Sequence, residues 1–233
     1  MSRIAIVAAL EREVRPLAKR WRVVEKEHAG RGFRFFESND RVLVCGGLGA
    51  EAARRAAEAV IALYAPVMIY SVGFAGALDT TLKVGDVLKP ARIVDAGNGS
   101  SVNLEGKGVL VSFGSVASSE QKAKLRASFG AQAVDMEAAA VRCAAEARGL
   151  PFGAVKVISD EFDFSFPPMQ RFVDSQGRFH EGQFACFAAL RPWLWPRLVR
   201  LARNSRLASR ALCDSFGNLV VHQVPAAPAV NDR

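Results

Sequence analysis

The sequence predicts an α/β fold, on three observations. Apolar runs of strand length alternate with Ala-rich or amphipathic stretches of helix length, the pattern of strands joined by crossover helices. Glycine and proline punctuate the hand-overs: Gly46, Gly47 and Gly49 lead from a strand into a helix, and Gly149 with Pro151 closes a helix before the next strand. At 233 residues, half of them hydrophobic, the chain can bury a full core as a single domain, placed at residues 1–213 with a loose tail over 214–233.

Each element follows from its residues. The first strand covers 3 to 9 and runs into Glu11-Arg12-Glu13-Val14, the start of a helix over 11 to 20 with Pro16 in its first turns. Strands at 33 to 37 and 41 to 45 flank the turn Ser38-Asn39-Asp40. Gly46-Gly47-Leu48-Gly49-Ala50-Glu51-Ala52 opens an Ala-rich helix over 51 to 64, and the strand at 67 to 72 delivers a Gly73-Phe74-Ala75-Gly76 turn. Residues 81 to 86 turn into another strand, with Asp86 as a structural turn residue, and 95 to 108, rich in Gly, Asn and Ser, form a loop. A strand at 109 to 113 precedes a helix over 120 to 129 capped by Ser118 or Ser119. Ala, Glu and Arg then favour a helix from about Glu137 to Arg148, followed by a buried strand at 152 to 158 that ends on Ser159 and Asp160.

Three acids draw the eye. Glu137 stands at a helix start, Asp160 at a strand end and Glu13 just after the first strand, and ligands of α/β proteins gather at the carboxyl ends of strands. Each also has a structural use, favouring a helix dipole or capping a turn. Other chemistry is poorly supplied. Cys45, Cys143, Cys186 and Cys213 are scattered without a C-x-x-C pair, which fits reduced thiols in a cytoplasm, and His28, His180 and His222 are isolated, so neither a metal site nor a histidine triad is expected. No run of 18 apolar residues is present to span a bilayer, and the charged residues after the first short apolar run argue against a signal peptide.

The order of four motifs resembles the nucleoside phosphorylase and nucleosidase superfamily: Ala9-Leu10-Glu11-Arg12-Glu13-Val14, Gly73-Phe74-Ala75-Gly76 with Thr81-Leu82-Lys83-Val84-Gly85-Asp86, Val134-Asp135-Met136-Glu137, and Ile158-Ser159-Asp160. The resemblance spans about residues 3 to 160. Within that superfamily, Asp174-Ser175-Gln176-Gly177-Arg178, Leu190-Arg191-Pro192 and Leu201-Ala202-Arg203 look most like the hopanoid-associated phosphorylases. It implies a three-layer α/β/α domain with a central mixed sheet, a homodimer, and cleavage of the bond between ribose and an adenine base without metal or organic cofactor. By the same resemblance Glu13 activates water, Glu137 holds the ribose hydroxyls with Met136 packed on the sugar, and Asp160, assisted by Ser159, protonates the base N7. Val116 and Ala117 would line the base. Phe74 stands where the small nucleosidases commonly carry a serine, which suggests a bulkier partner at that wall. Water or phosphate could attack. The phosphorylases' Gly-Asp-Pro-x-Arg loop is replaced here by Leu10-Glu11-Arg12-Glu13, whose acids suit water and repel phosphate, so hydrolysis is favoured. The hopanoid likeness implies an adenosyl-bearing triterpenoid as substrate, with phosphate kept open as co-substrate.

Rival readings concern the glycines and the carboxyl-terminal third. Gly47, Gly49 and Ala52 match the dinucleotide pattern G-x-G-x-x-A, but the next strand lacks the acid that would hold a ribose, so the glycines, Gly47 among them, are read as a tight strand-to-helix turn lining a ribose or anion site instead. Residues 162 to 169 interleave aromatics with acids and end on prolines, an irregular loop suited to an apolar substrate extension. Arg191, Arg197, Arg200, Arg203, Arg206 and Arg210, interleaved with Trp193, Trp195 and leucines, form a basic amphipathic helix over about 193 to 213. It either docks on its own domain or lies at about 191–210 on an anionic membrane, on the inner face in a cytoplasmic setting. The net charge of +8 comes with no recognition motif for nucleic acid. A protein that binds nucleosides without turning them over remains a further alternative.

Overall fold

A computed structural model describes residues 3–221 except 165, 167, 168, 175, 176 and 178. Part of the aromatic loop, Ser175, Gln176 and Arg178 of the carboxyl-terminal likeness, and the tail beyond 221 lie outside the described residues.

The centre is an eleven-stranded mixed sheet among the described residues. Strands β1 (Ile4–Ala8), β4 (Arg41–Cys45), β5 (Met68–Ala77) and β11 (Phe152–Asp160) run parallel, with β1 between β4 and β5 and with β11 on the other side of β5. They are short apolar runs because both faces are covered, which removes any polar alternation. β2 (Arg22–His28) and β3 (Arg31–Glu37) extend the β4 edge as an antiparallel meander. On the far side β10 (Ala133–Asp135) pairs antiparallel with the end of β5 and leads to β9 (Val109–Ser112), β7 (Arg92–Asp95) and β8 (Ser101–Asn103), while β6 (Val87–Leu88) pairs with β11.

Helices cover both faces. On one side α2 (Ala50–Tyr64) and α4 (Ala138–Glu146) bury alanines and Val60, Ile61 and Val141 against Val7, Phe35, Val44 and Ile69. Small side chains let α2 approach closely: a Cβ at Gly46 would sit 2.7 Å from the Ala52 carbonyl oxygen. On the other side α1 (Glu11–Ala18) and α6 (Trp195–Val221) cover Ile6, Leu43, Tyr70 and Val157. Asn204, Ala208, Leu212 and Phe216 recur every fourth residue of α6 and form its buried stripe, ending with Phe216 edge-on to Tyr70 at 5.5 Å. Burying each such leucine or phenylalanine contributes about 1.5–3 kcal/mol. α3 (Ser119–Phe129) closes the β9–β10 end, and α5 (Glu181–Ala189) precedes α6.

The three-layer expectation holds, with local corrections. Gly73-Phe74-Ala75-Gly76 is the second half of β5, because two glycines there make room for side chains crossing the strand. Val134-Asp135 is a strand whose acid faces inward, so the helix begins only at Ala138. Part of the 95–108 loop pairs as β8 with β7, and β2 and α5 were not anticipated, because β2 carries four charged residues against two valines and α5 has little amphipathic contrast. The terminal helix extends through 214–221, expected as tail, since buried Phe216 continues its apolar stripe. Ser118, not Ser119, caps α3, exchanging hydrogen bonds with Gln121 in a capping box.

Candidate active site

The three acids arrive from different elements and line one cavity of about 580 Å³. Met136, Ser159, Phe74, Val116 and Ala117 line it too, with Leu48, Gly49 and Gly76, and Phe166, Phe179 and Leu201 toward α6. Gly47 does not. Its φ is 106° and a Cβ there would meet the Gly177 carbonyl oxygen at 2.8 Å, so Gly47 lies under residue 177 rather than against a ligand.

Glu137 reaches the cavity because other groups serve its helix. Asp135 Oδ2 accepts from the Ala138 N–H at 2.9 Å and Ser112 Oγ accepts from the Ala139 N–H at 3.0 Å, so the first donors of α4 are already satisfied. The Glu137 carboxylate instead accepts from Gly49 N–H at 2.9 Å and from Met136 N–H at 3.2 Å. Gly49, at φ 92°, holds a conformation that favours glycine and brings the start of α2 to this acid. That contact corrects the anion-site expectation: the Gly49 N–H available to a phosphate is taken by a carboxylate, which also repels one.

Glu13 sits on the first turns of α1, buried, with its carbonyl oxygen pinned by Ser209 Oγ of α6 at 2.9 Å. Among the described residues no donor reaches its Oε2. A Cβ on Gly73 would lie 2.7 Å from that oxygen, so β5 needs glycine there for the acid to fit. Burial, reinforced by the Glu137 charge, pushes the Glu13 carboxyl up to about 8, although Lys156 and Arg12 pull the other way. Burial also raises Glu137, opposed by Lys156 and by its two backbone donors. The raised acids share a buried counter-ion. Lys156 of β11 bonds Asp135 Oδ2 at 2.8 Å, and although burial alone would lower its ammonium, Asp135, Glu137 and Glu13 hold it above the usual lysine range. Ser112 Oγ donates to the other Asp135 oxygen at 2.6 Å, completing that network.

Asp160 ends β11 after a bulge between Ile158 and Asp160, an irregularity that re-aims side chains at a strand end. Its Oδ1 accepts from Ser159 Oγ at 2.8 Å and its Oδ2 from Lys122 Nζ of α3 at 2.6 Å. Gly76 makes way for it, since a Cβ there would stand 2.8 Å from Oδ2.

Lys122 and Lys156 escaped the sequence reading. A lysine within the apolar strand Ala154-Val155-Lys156-Val157-Ile158 was a usable signal, because a cation there must be paired. Lys122 gave none, lying in a polar helix beside Lys124. Among the described residues no group of three or more His, Cys, Asp or Glu side chains is placed to hold a metal ion.

Comparison with known proteins bears on the same elements. A family model described as the phosphorylase superfamily matches residues 3–112 and 107–178. An aminodeoxyfutalosine nucleosidase of Campylobacter jejuni is 24% identical, over 70% of this chain and 90% of that protein. Two solved 5'-methylthioadenosine/S-adenosylhomocysteine nucleosidases share the fold. The Neisseria meningitidis enzyme with methylthio-immucillin-A has TM-score 0.71 at 20% identity, covering 94% of this chain and 99% of its own. The Helicobacter pylori enzyme with butyl-thio-DADMe-Immucillin-A has TM-score 0.70 at 17% identity, covering 95% and 98%.

Proposed function

Since the chain belongs to the phosphorylase superfamily, we propose that it is a nucleosidase that hydrolyses the N-glycosidic bond of an adenine nucleoside. The observation that carries this reading is the convergence of Glu13, Glu137 and Asp160 on one largely apolar cavity. Breaking the bond needs a stabilised oxocarbenium-like sugar, a nucleophile on the face away from the base and a proton for the departing nitrogen. Glu137, anchored by Gly49 and Met136 N–H groups, holds the ribose hydroxyls, with the Met136 side chain against the sugar. Glu13, with an oxygen unclaimed by protein donors and a carboxyl near 8, takes a proton from the attacking water. Asp160 faces N7 of the base with Ser159 behind it, and Val116 and Ala117 lie along the purine. Water is preferred to phosphate because two of these acids flank the nucleophile's approach, where an anion would be repelled and a neutral water would not.

The reading extends to a nucleoside with a large apolar 5' substituent, of the adenosyl-triterpenoid kind. Phe74, Phe166, Phe179 and Leu201 give the cavity a greasy wall, and it shares Arg12, Phe179, Leu201 and Ser205 with a second cavity of about 870 Å³ between α1, α5 and α6. Among its described residues that groove is lined by Arg12, Arg15, Lys19, Arg206 and Arg210 without an acid. Beside it, Leu190, Trp193, Trp195 and Val199 are 52–76% exposed, which supports contact of this face with an anionic bilayer that carries the substrate. No helix of the described residues is long and apolar enough to cross a membrane. A cytoplasmic homodimer belongs to the same proposal.

The test is adenine release, followed by chromatography, from a series of adenine nucleosides with hydroxyl, methylthio and long apolar 5' groups. The reading expects release that improves with the apolar group and falls by about 10²–10⁴ in Glu137→Gln and Asp160→Asn. No release from any of them by the wild type would overturn it.

A further inference from the structure

Lys122 has no place in the division of labour above, yet it is 1% exposed and makes the shortest contact to a proposed catalytic acid, 2.6 Å to Asp160 Oδ2. It points inward with Leu125, three residues on, from an otherwise polar helix. Burying an ammonium costs several kcal/mol unless it is paired, and a leucine or methionine would fill the space without that cost. Its second bond, to the Glu161 carbonyl oxygen at 2.8 Å, fixes the amine at the end of β11. The Glu161 carboxylate turns away to Arg200 at 3.1 Å and Lys83 at 3.9 Å, and β5 brings Gly76 beside Asp160 Oδ2 and the Ala75 carbonyl oxygen within 3.4 Å of Ser159 Oγ.

The hydrogen bonds around Asp160 create a chemical problem. Oδ2 accepts from Lys122 Nζ and Oδ1 from Ser159 Oγ, a hydroxyl that also lies 3.4 Å from the Ala75 carbonyl oxygen, so in this arrangement the hydrogens beside Asp160 sit on its partners rather than on the carboxyl. N7 of a purine nucleoside is also only an acceptor. Resting on the nucleosidase reading, we propose that Lys122 is a positioning residue that stores and supplies the proton Asp160 passes to the leaving base. As the C1'–N9 bond breaks with its electron pair going to the purine, N7 takes a proton from Asp160 and Asp160 takes one from Lys122 Nζ. Water bonds C1' and yields its proton to Glu13. Lys122 then regains a proton from solvent and Glu13 returns one, so the cycle balances.

The test compares leaving groups. Wild type, Lys122→Met and Lys122→Ala are assayed with an adenine nucleoside and with 4-nitrophenyl β-ribofuranoside, whose phenolate departs without protonation. Adenine release is expected to fall about a hundredfold more than nitrophenol release, as loss of general-acid catalysis requires. In Lys122→Ala, ethylammonium should restore adenine release and ethanol, of similar size, should not. In an Asp160→Asn background Lys122→Met should cost nothing further. A merely structural ion pair would lower both substrates equally, and that result, or an unaltered adenine-to-nitrophenol ratio, overturns the inference. A wild type inactive on both substrates overturns the nucleosidase reading itself.

Discussion

Replacing Glu13 by glutamine should separate the chemical use of this acid from its cost to the fold. A carboxyl raised from 4.5 to about 8 by burial and by Glu137 prefers to be protonated in the folded state. For an acid with a raised folded value the sign is definite: the fold binds the proton more tightly than the unfolded chain. Stability therefore falls as pH rises from 4.5 toward about 8. Each pH unit in that window costs about 1.4 kcal/mol, which amounts to roughly 3 kcal/mol at neutral pH as an upper bound. Glutamine has no charge to desolvate, so it removes this slope while losing about 1–3 kcal/mol for an imperfectly paired amide at all pH values. Urea unfolding of the two proteins at pH 5.5 and pH 8 measures the difference. Glu13→Gln should be no more stable than wild type at pH 5.5 and gain on it by pH 8, while adenine release falls by about 10²–10⁴. In wild type, kcat/KM should rise with pH, reach half its maximum at about 8 and level off above that, as the carboxylate becomes available to take a proton from water. Parallel stability curves for the two proteins, or a rate flat from pH 6 to 8, would refute the view of Glu13 as a buried base.

Other perturbations test neighbouring links. Lys156→Met leaves Asp135 buried and unpaired and should cost about 3–5 kcal/mol by urea unfolding, with much of that recovered when Asp135→Asn is added. A loss below 1 kcal/mol would mean the network is not buried as described. Gly76→Ala sets a Cβ 2.8 Å from Asp160 Oδ2 and should lower turnover by about tenfold to a hundredfold with circular dichroism unchanged. Flotation with vesicles rich in anionic lipid should carry the wild type, and Trp193→Ser with Arg206→Glu should abolish it. Equal flotation with purely zwitterionic vesicles would remove the electrostatic part of the membrane reading.

The fold was legible where burial writes itself into sequence. β1, β4, β11 and α2 are mostly apolar or Ala-rich runs because a polar group between two helical layers is tolerated only when paired, as Lys156 is with Asp135. β2 was not, since it faces solvent at the sheet edge and its Glu25, Lys26 and Glu27 leave no apolar run. The acids could be singled out because each follows a strand or opens a helix, but their partners could not. Lys122 and Asp160 are 38 residues apart, Gly49 and Glu137 are 88, and nothing local in either segment announces the contact. Gly47 was misread for the converse reason: its positive φ serves a backbone crossing by residue 177, which a one-dimensional pattern renders as a ligand loop. The glycines of β5 carry the same lesson. They looked like a turn and are the space into which Glu13 and Asp160 fit.

The shared-cavity hydrolase is tested most directly by isotope. The protein is incubated with an adenine nucleoside in H₂¹⁸O, with and without inorganic phosphate, and the sugar product is weighed by mass spectrometry. Ribose bearing one ¹⁸O, formed at the same rate in both samples together with free adenine, is the expected result. A ribose 1-phosphate that appears only with phosphate, or no adenine at all, would contradict it.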